Sequence, residues 1–216
     1  MWLKKLLIII IIFSFSQAFA QNSYEYDYVL SYSQKINGMV KNEYKFFNSK
    51  DNSSMFTVTE HGKKLALVLR NADGKFFRDS IAGNDFFVEA ISLKCPLKGV
   101  LKNTSKESLD DYEILLKNDT LIGNENLSHF ILNPKNARAA KNMPSVHYIM
   151  DNKLGLKIPV LEPFGFVYGF WKKGINIPNG IIKECYRITN GQKETLIELV
   201  QYAPIKKIIM IDNNCR

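Results

Sequence analysis

The residues best suited to proton or metal chemistry are three histidines, His61, His129 and His147. None stands in a His-x-His, His-x₃-His or His-Glu-x₂-His spacing, so no zinc site is written locally. His61 lies between Glu60 and Gly62 and reads as an exposed turn residue. His147 precedes Asp151 by four positions, which does not pair side chains on a strand entering a turn. His129 precedes Phe130 on a strand and reads as structural. The three cysteines are Cys95, Cys185 and Cys215, and an odd number leaves one thiol over. Cys95 shares a strand face with Phe87, Ile91 and Leu93 and reads as a buried small hydrophobe. A bridge between Cys185 and Cys215 would pin the tail and contribute roughly 3–4 kcal/mol in the chain-entropy model. A cysteine–histidine nucleophile would require distant pairing. There is no Gly-x-Ser-x-Gly and no glycine-rich phosphate loop. Acids such as Asp110, Asp111 and Glu60 mark no glycosidase pair. These residues give a catalytic reading no positive support and imply no cofactor or metal.

The most distinctive constellation is aromatic. Leu161, Phe164, Phe166, Val167, Tyr168, Phe170 and Trp171 crowd together, punctuated by Pro163, Gly165, Gly169 and Gly174. Such a segment can be ordinary core, or an apolar lid or cavity wall. Glycines let it bend, while Phe and Trp supply large apolar contact area. Phe164, Phe166, Tyr168, Phe170 and Trp171 are therefore the candidate ligand-binding residues.

The elements that must position this segment alternate with period two. Tyr24, Tyr26, Tyr28, Leu30 and Tyr32 interleave with Glu25, Asp27, Val29, Ser31 and Ser33, which predicts a long half-buried strand with one aromatic face. Further strands are predicted at 40–47, 54–59, 64–69, 76–81, 85–95, 112–116, 127–132, 147–150 and 155–160. Residues 181–188 and 195–202 form a hairpin around Asn190-Gly191, and 206–211 gives a last strand. Ala72-Asp73-Gly74-Lys75 is a hairpin turn. Residues 134–142, with Ala137, Ala139 and Ala140, are the best helix candidate, ended by Pro144. Residues 96–110 read as a solvated loop. The expected fold is mainly β: a single curved antiparallel sheet, half-barrel or open barrel, of about ten strands with one or two short helices.

Residues 1–20 place this domain. Lys4-Lys5, the apolar run Leu6–Phe13 and Ala18-Phe19-Ala20 have the order of a secretory signal peptide cleaved near Ala20. The run is short of the ~20 residues a membrane span needs. The expected organisation is a signal peptide, 1–20, and a single β-rich domain, 21–216, periplasmic or extracellular. Its removal takes Lys4 and Lys5 and no acid, leaving 27 basic against 21 acidic residues. That surplus suits a solvated surface or attraction to anionic membrane surfaces. Lysine pairs are scattered, and nucleic acid is not an expected partner.

The strand Tyr24-Glu25-Tyr26-Asp27-Tyr28, the turn Asp73-Gly74-Lys75, and Asn118–Gly123 followed by the strand His129–Leu132 resemble the layout of small secreted β-rich proteins of Gram-negative bacteria. More loosely, long antiparallel strands with one short helical insertion resemble the half-barrel of periplasmic lipoprotein carriers. That resemblance implies a curved sheet around an apolar cavity that accepts acyl chains. The leading functional expectation is an exported, non-enzymatic binding or carrier protein with a lipid or other apolar ligand in the concave face. The alternatives are an envelope protein-interaction or structural module without a cavity, and a hydrolase.

Overall fold

The computed structural model of the chain describes residues 22–36, 39–93, 101–102, 109–163, 165–189 and 192–211. The predicted signal peptide, Asn37-Gly38, Cys95, Phe164 and Cys215 lie outside these residues. The strands of the first half are β1 (Asn22–Ile36), β2 (Met39–Asn48), β3 (Asp51–His61), β4 (Lys64–Asn71), β5 (Lys75–Ala82), β6 (Ala90–Leu93) and β7 (Leu101–Lys102). Those of the second are β8 (Tyr112–Leu116), β9 (Thr120–Ile122), β10 (Glu125–Pro134), β11 (Val146–Asp151), β12 (Ile181–Thr189) and β13 (Gln192–Ile211). Two short helices are α1 (Ala137–Asn142) and α2 (Phe166–Lys172).

The strands form one open, curved sheet in the order β7-β5-β4-β3-β2-β1-β13-β12-β11-β10-β8. β9 extends β10 as a small hairpin, and β6 joins β13. All pairings along the sheet are antiparallel except β6 with β13. Two meanders are thus joined where β1 lies beside β13, from Asn22 opposite Ile211 to Gln34 opposite Ile197. The fold class matches the sequence reading; the additional strands, β7 and β9, are short.

β1 alternates as expected from Tyr28 to Tyr32, burying Leu30 and Tyr32 with Phe47 and Met55, but Tyr24 and Tyr26 pack with Phe46 and Phe56 on the other side, so the predicted single aromatic face is divided at the irregularity between Tyr26 and Tyr28. β13 runs unbroken over 20 residues, where two strands were predicted. Pro204 is accommodated at one of two irregularities against β1, which absorb residues the ladder cannot pair. α1 forms within the predicted segment, with Asn136 capping it by accepting from the amide of Ala139 at 2.9 Å.

Two predicted strands are corrected. Of the described residues 85–93, only Ala90–Leu93 is a strand; Gly83–Phe86 makes a single 3₁₀ turn. The Phe86 ring packs against Phe46 and Phe56, and the Lys207 ammonium donates to the carbonyls of Phe86 and Val88. Those contacts bend the backbone out of extension and leave Phe87 84% exposed rather than on a face with Ile91. Residues 155–160 form an irregular arm with one bridge, Pro159 to Gly180. The Val160 amide donates to the Gly180 carbonyl at 2.7 Å and Asn52 Nδ2 to the Pro159 carbonyl at 2.7 Å, so the arm is tied to the sheet without a ladder. Gly180 is obligatory there: its φ is +121°, and a Cβ would lie 2.3 Å from the Asp151 carbonyl oxygen.

Candidate functional site

The site begins with β3, which is buried on both faces. Phe56 and Val58 belong to one apolar cluster with Phe46, Leu67, Leu69 and Ile209. Met55, which alternation places on the opposite face, belongs to another with Leu30, Phe47, Leu156 and Val160. The first side is filled by aromatic rings. On the second, residues 154–161 and α2 cover the sheet and leave a cavity of about 230 Å³.

Leu30, Tyr32, Lys45, Met55, Tyr148 and Cys185 line that cavity from the sheet. Val160, Leu161, Glu162, Gly165, Phe166, Val167 and Tyr168 close it from the cover. α2 was not anticipated as a helix, because Gly165 and Gly169 argue against one. It forms because Val167, Tyr168 and Phe170 bury against Phe130, Leu132 and Met150. Packing of this kind outweighs a helix penalty of about 1 kcal/mol for glycine. Gly169 has a packing reason as well: a Cβ would meet the Leu109 side chain at 2.9 Å.

The predicted aromatic residues divide. Phe166 and Tyr168 line the cavity. Phe170 is buried on the α2 surface that packs onto the sheet, and Trp171 is partly buried beside Tyr168, their rings 5.6 Å apart. Cys185 is a buried thiol on the cavity wall. Burial pushes it up to about 12, so it stays protonated at neutral pH and is a poor nucleophile.

The sequence reading missed a charged chain at this cavity. Lys45 Nζ lies 3.2 Å from Glu43 Oε2 and 3.3 Å from Glu162 Oε2, and Arg70 Nε lies 2.9 Å from Glu162 Oε1. The Lys45 ammonium also faces the Tyr32 ring, whose hydroxyl donates to the Ile182 carbonyl at 2.9 Å. Burial disfavours the charge on Lys45, but Glu162 and Glu43 outweigh it and hold its pKa above the ordinary lysine value. Burial likewise opposes ionisation of Glu162, and Lys45 and Arg70 more than offset it, holding its carboxyl below the ordinary range. A regular alternation through β2 would place Tyr44 and Phe46 inward and Lys45 outward. The doublet Phe46-Phe47 was the available signal that both faces of β2 are covered.

A second polar group lies on strands β10 to β12. His129 Nε2 and His147 Nδ1 are 3.0 Å apart, and the Tyr186 ring stacks on His147 at 4.6 Å. Register brings them together: His129 sits opposite Ile149 and His147 opposite Ile131, so the histidines are diagonal neighbours. Local spacing contains no trace of this contact. Burial lowers both pKa values; Lys117 adds to the effect at His129, and His129, Lys117 and Lys193 add to it at His147. His61 is exposed at the end of β3, as predicted. Among the described residues no three His, Cys, Asp or Glu side chains are grouped to hold a metal ion.

No known family model and no characterised protein matches the chain. Among the solved structures similar to it are two with described assignments. One is a domain assigned to outer membrane lipoprotein sorting from Vibrio parahaemolyticus, at 8% identity and a TM-score of 0.29, covering 82% of this chain and 85% of that one. The other is a DUF1329 family protein from Desulfovibrio piger, at 11% identity and a TM-score of 0.27, covering 92% of this chain and 88% of that one. No helix among the described residues is long and apolar enough to cross a membrane.

Proposed function

We propose that the protein is an exported carrier or binding protein that holds a small apolar ligand between the concave face of its sheet and the cover formed by residues 154–163 and 165–172. The observation that carries this reading is the cavity of about 230 Å³ beneath Phe166 and Tyr168. A sheet and cover serving stability alone would close upon each other at the packing density of an ordinary core. Here the opposite side of β3 does close in that way, so the chain is capable of it. The high pKa of Cys185 opposes a thiolate mechanism and supports a binding role.

The test is titration with N-phenylnaphthylamine, whose fluorescence rises in apolar surroundings, together with native mass spectrometry of protein exported to the periplasm. Saturable binding at one site is expected. Cys185→Trp, which fills the cavity, is expected to abolish it. Tyr168→Ala, which enlarges the cavity, is expected to retain binding and accept bulkier probes. Absence of saturable binding by the folded wild-type protein would overturn the reading.

A further inference from the structure

Within that carrier reading, we propose that the ligand bears an acidic head group, which replaces Glu162 between Lys45 and Arg70 when the cover lifts. The charged chain has an uneven origin. Glu43, Lys45 and Arg70 stand on strands β2 and β4, whereas Glu162 belongs to the cover. The sheet alone therefore contributes one acid and two bases, a net charge of +1; Lys45 lines the cavity, and the partly exposed Arg70 meets Glu162 on its wall. Glu162 neutralises this charge only while the cover is closed. A ligand that takes the place of Glu162 leaves Lys45 with Glu43 alone and Arg70 without this partner, and losing an ion-pair partner from a largely buried group is costly. An acid on the ligand restores both contacts, one oxygen toward Lys45 and one toward Arg70, with the strength of charge-assisted hydrogen bonds.

One further atom indicates polar capacity beside Lys45. The Thr57 Oγ1 atom is buried without a hydrogen-bond partner. Thr57 sits directly opposite Lys45 in the β2–β3 register and shares its face of the sheet. The cavity is smaller than the ~300–1,000 Å³ usual for drug-sized ligands. Its size suits a single medium-length chain rather than a lipid with several tails.

The experiment compares decanol, decanoate and decyl phosphate by displacement of N-phenylnaphthylamine at pH 7.5. At least one acid is expected to bind about tenfold or more tightly than decanol, and the tighter of the two identifies the head group. In Arg70→Gln that ratio is expected to collapse to within about threefold. Glu162→Gln removes the internal competitor and is expected to tighten acid binding several-fold; circular dichroism establishes that each variant is folded. Equal binding of acids and decanol by the wild-type protein would overturn the head-group inference and leave the carrier reading standing. Loss of binding for all three compounds and the fluorescent probe would overturn both.

Discussion

The two sides of strands β2 and β3 are made from adjacent residues and finished in opposite ways. On one side Phe46, Phe56 and Phe86 meet with ring centroids 5.6–6.3 Å apart, sealing the surface with aromatic contacts. On the other, Lys45 and Met55 face a cavity, and an ion-pair chain runs from the sheet to its cover. The aromatic side has the character of a scaffold. The cavity side keeps a cover held by groups that can exchange partners. In the proposed carrier, stability and binding fall on opposite faces of the same strands.

The comparison is broken most strongly at Phe56, which is wholly buried. Phe56→Ala is expected to cost about 3–5 kcal/mol, from lost transfer energy plus the cavity left behind. The urea midpoint should fall accordingly, while the variant that remains folded keeps its probe affinity. Gly180→Ala comes next, because it forces a strained φ and a close approach to the Asp151 carbonyl. A loss of roughly 1–3 kcal/mol is expected, together with faster hydrogen exchange in residues 156–161, whose anchor to the sheet it disturbs.

Glu162→Gln is smaller in stability and sharper in meaning. Its side chain is 37% exposed, so solvent screening limits the expected loss to roughly 0.5–1 kcal/mol. Its folded pKa lies below the ordinary 4.5, so its contribution is full above that pH and lost as pH falls through the lower folded value. Protection factors of the α2 amides, corrected for the intrinsic slowing of exchange in acid, should therefore fall on acidification below about pH 4.5. The glutamine variant should show the lower protection already at neutral pH and lose the acid step.

The smallest effect is expected at the histidine pair, away from the cavity. Both folded pKa values lie below 6.5, so their contribution is full above that pH and declines as pH falls through the lower folded values. A modest fall in the urea midpoint below pH 6.5, reduced in His147→Gln because only His129 then remains to titrate, would register it. Probe affinity should stay level across the same interval.

Much of the fold was legible because strand alternation is a local property. The Tyr24–Tyr32 pattern, the Asp73-Gly74 turn and the 181–202 hairpin each stand within a few residues of chain. The 85–95 error came from a distant partner: Lys207 takes the carbonyls of Phe86 and Val88 and bends a segment whose own pattern is extended. The site was legible in part. Phe166 and Tyr168 could be proposed from aromatic and glycine content alone. Lys45, Arg70 and Glu162 could not, since they come from three separate segments and each, taken singly, looks like a solvated surface charge.

By itself, then, the sequence determined the mainly β class, most strands and the unusual character of residues 161–171, because backbone conformation and two-residue periodicity are set by near neighbours. Only the tertiary structure decided that 154–163 and 165–172 close over one face while 83–93 closes over the other. The same decision brought the two histidines together and placed a lysine inside. Each depends on register and on covering layers contributed by distant parts of the chain, and a single strand's pattern does not specify which layer will cover which face.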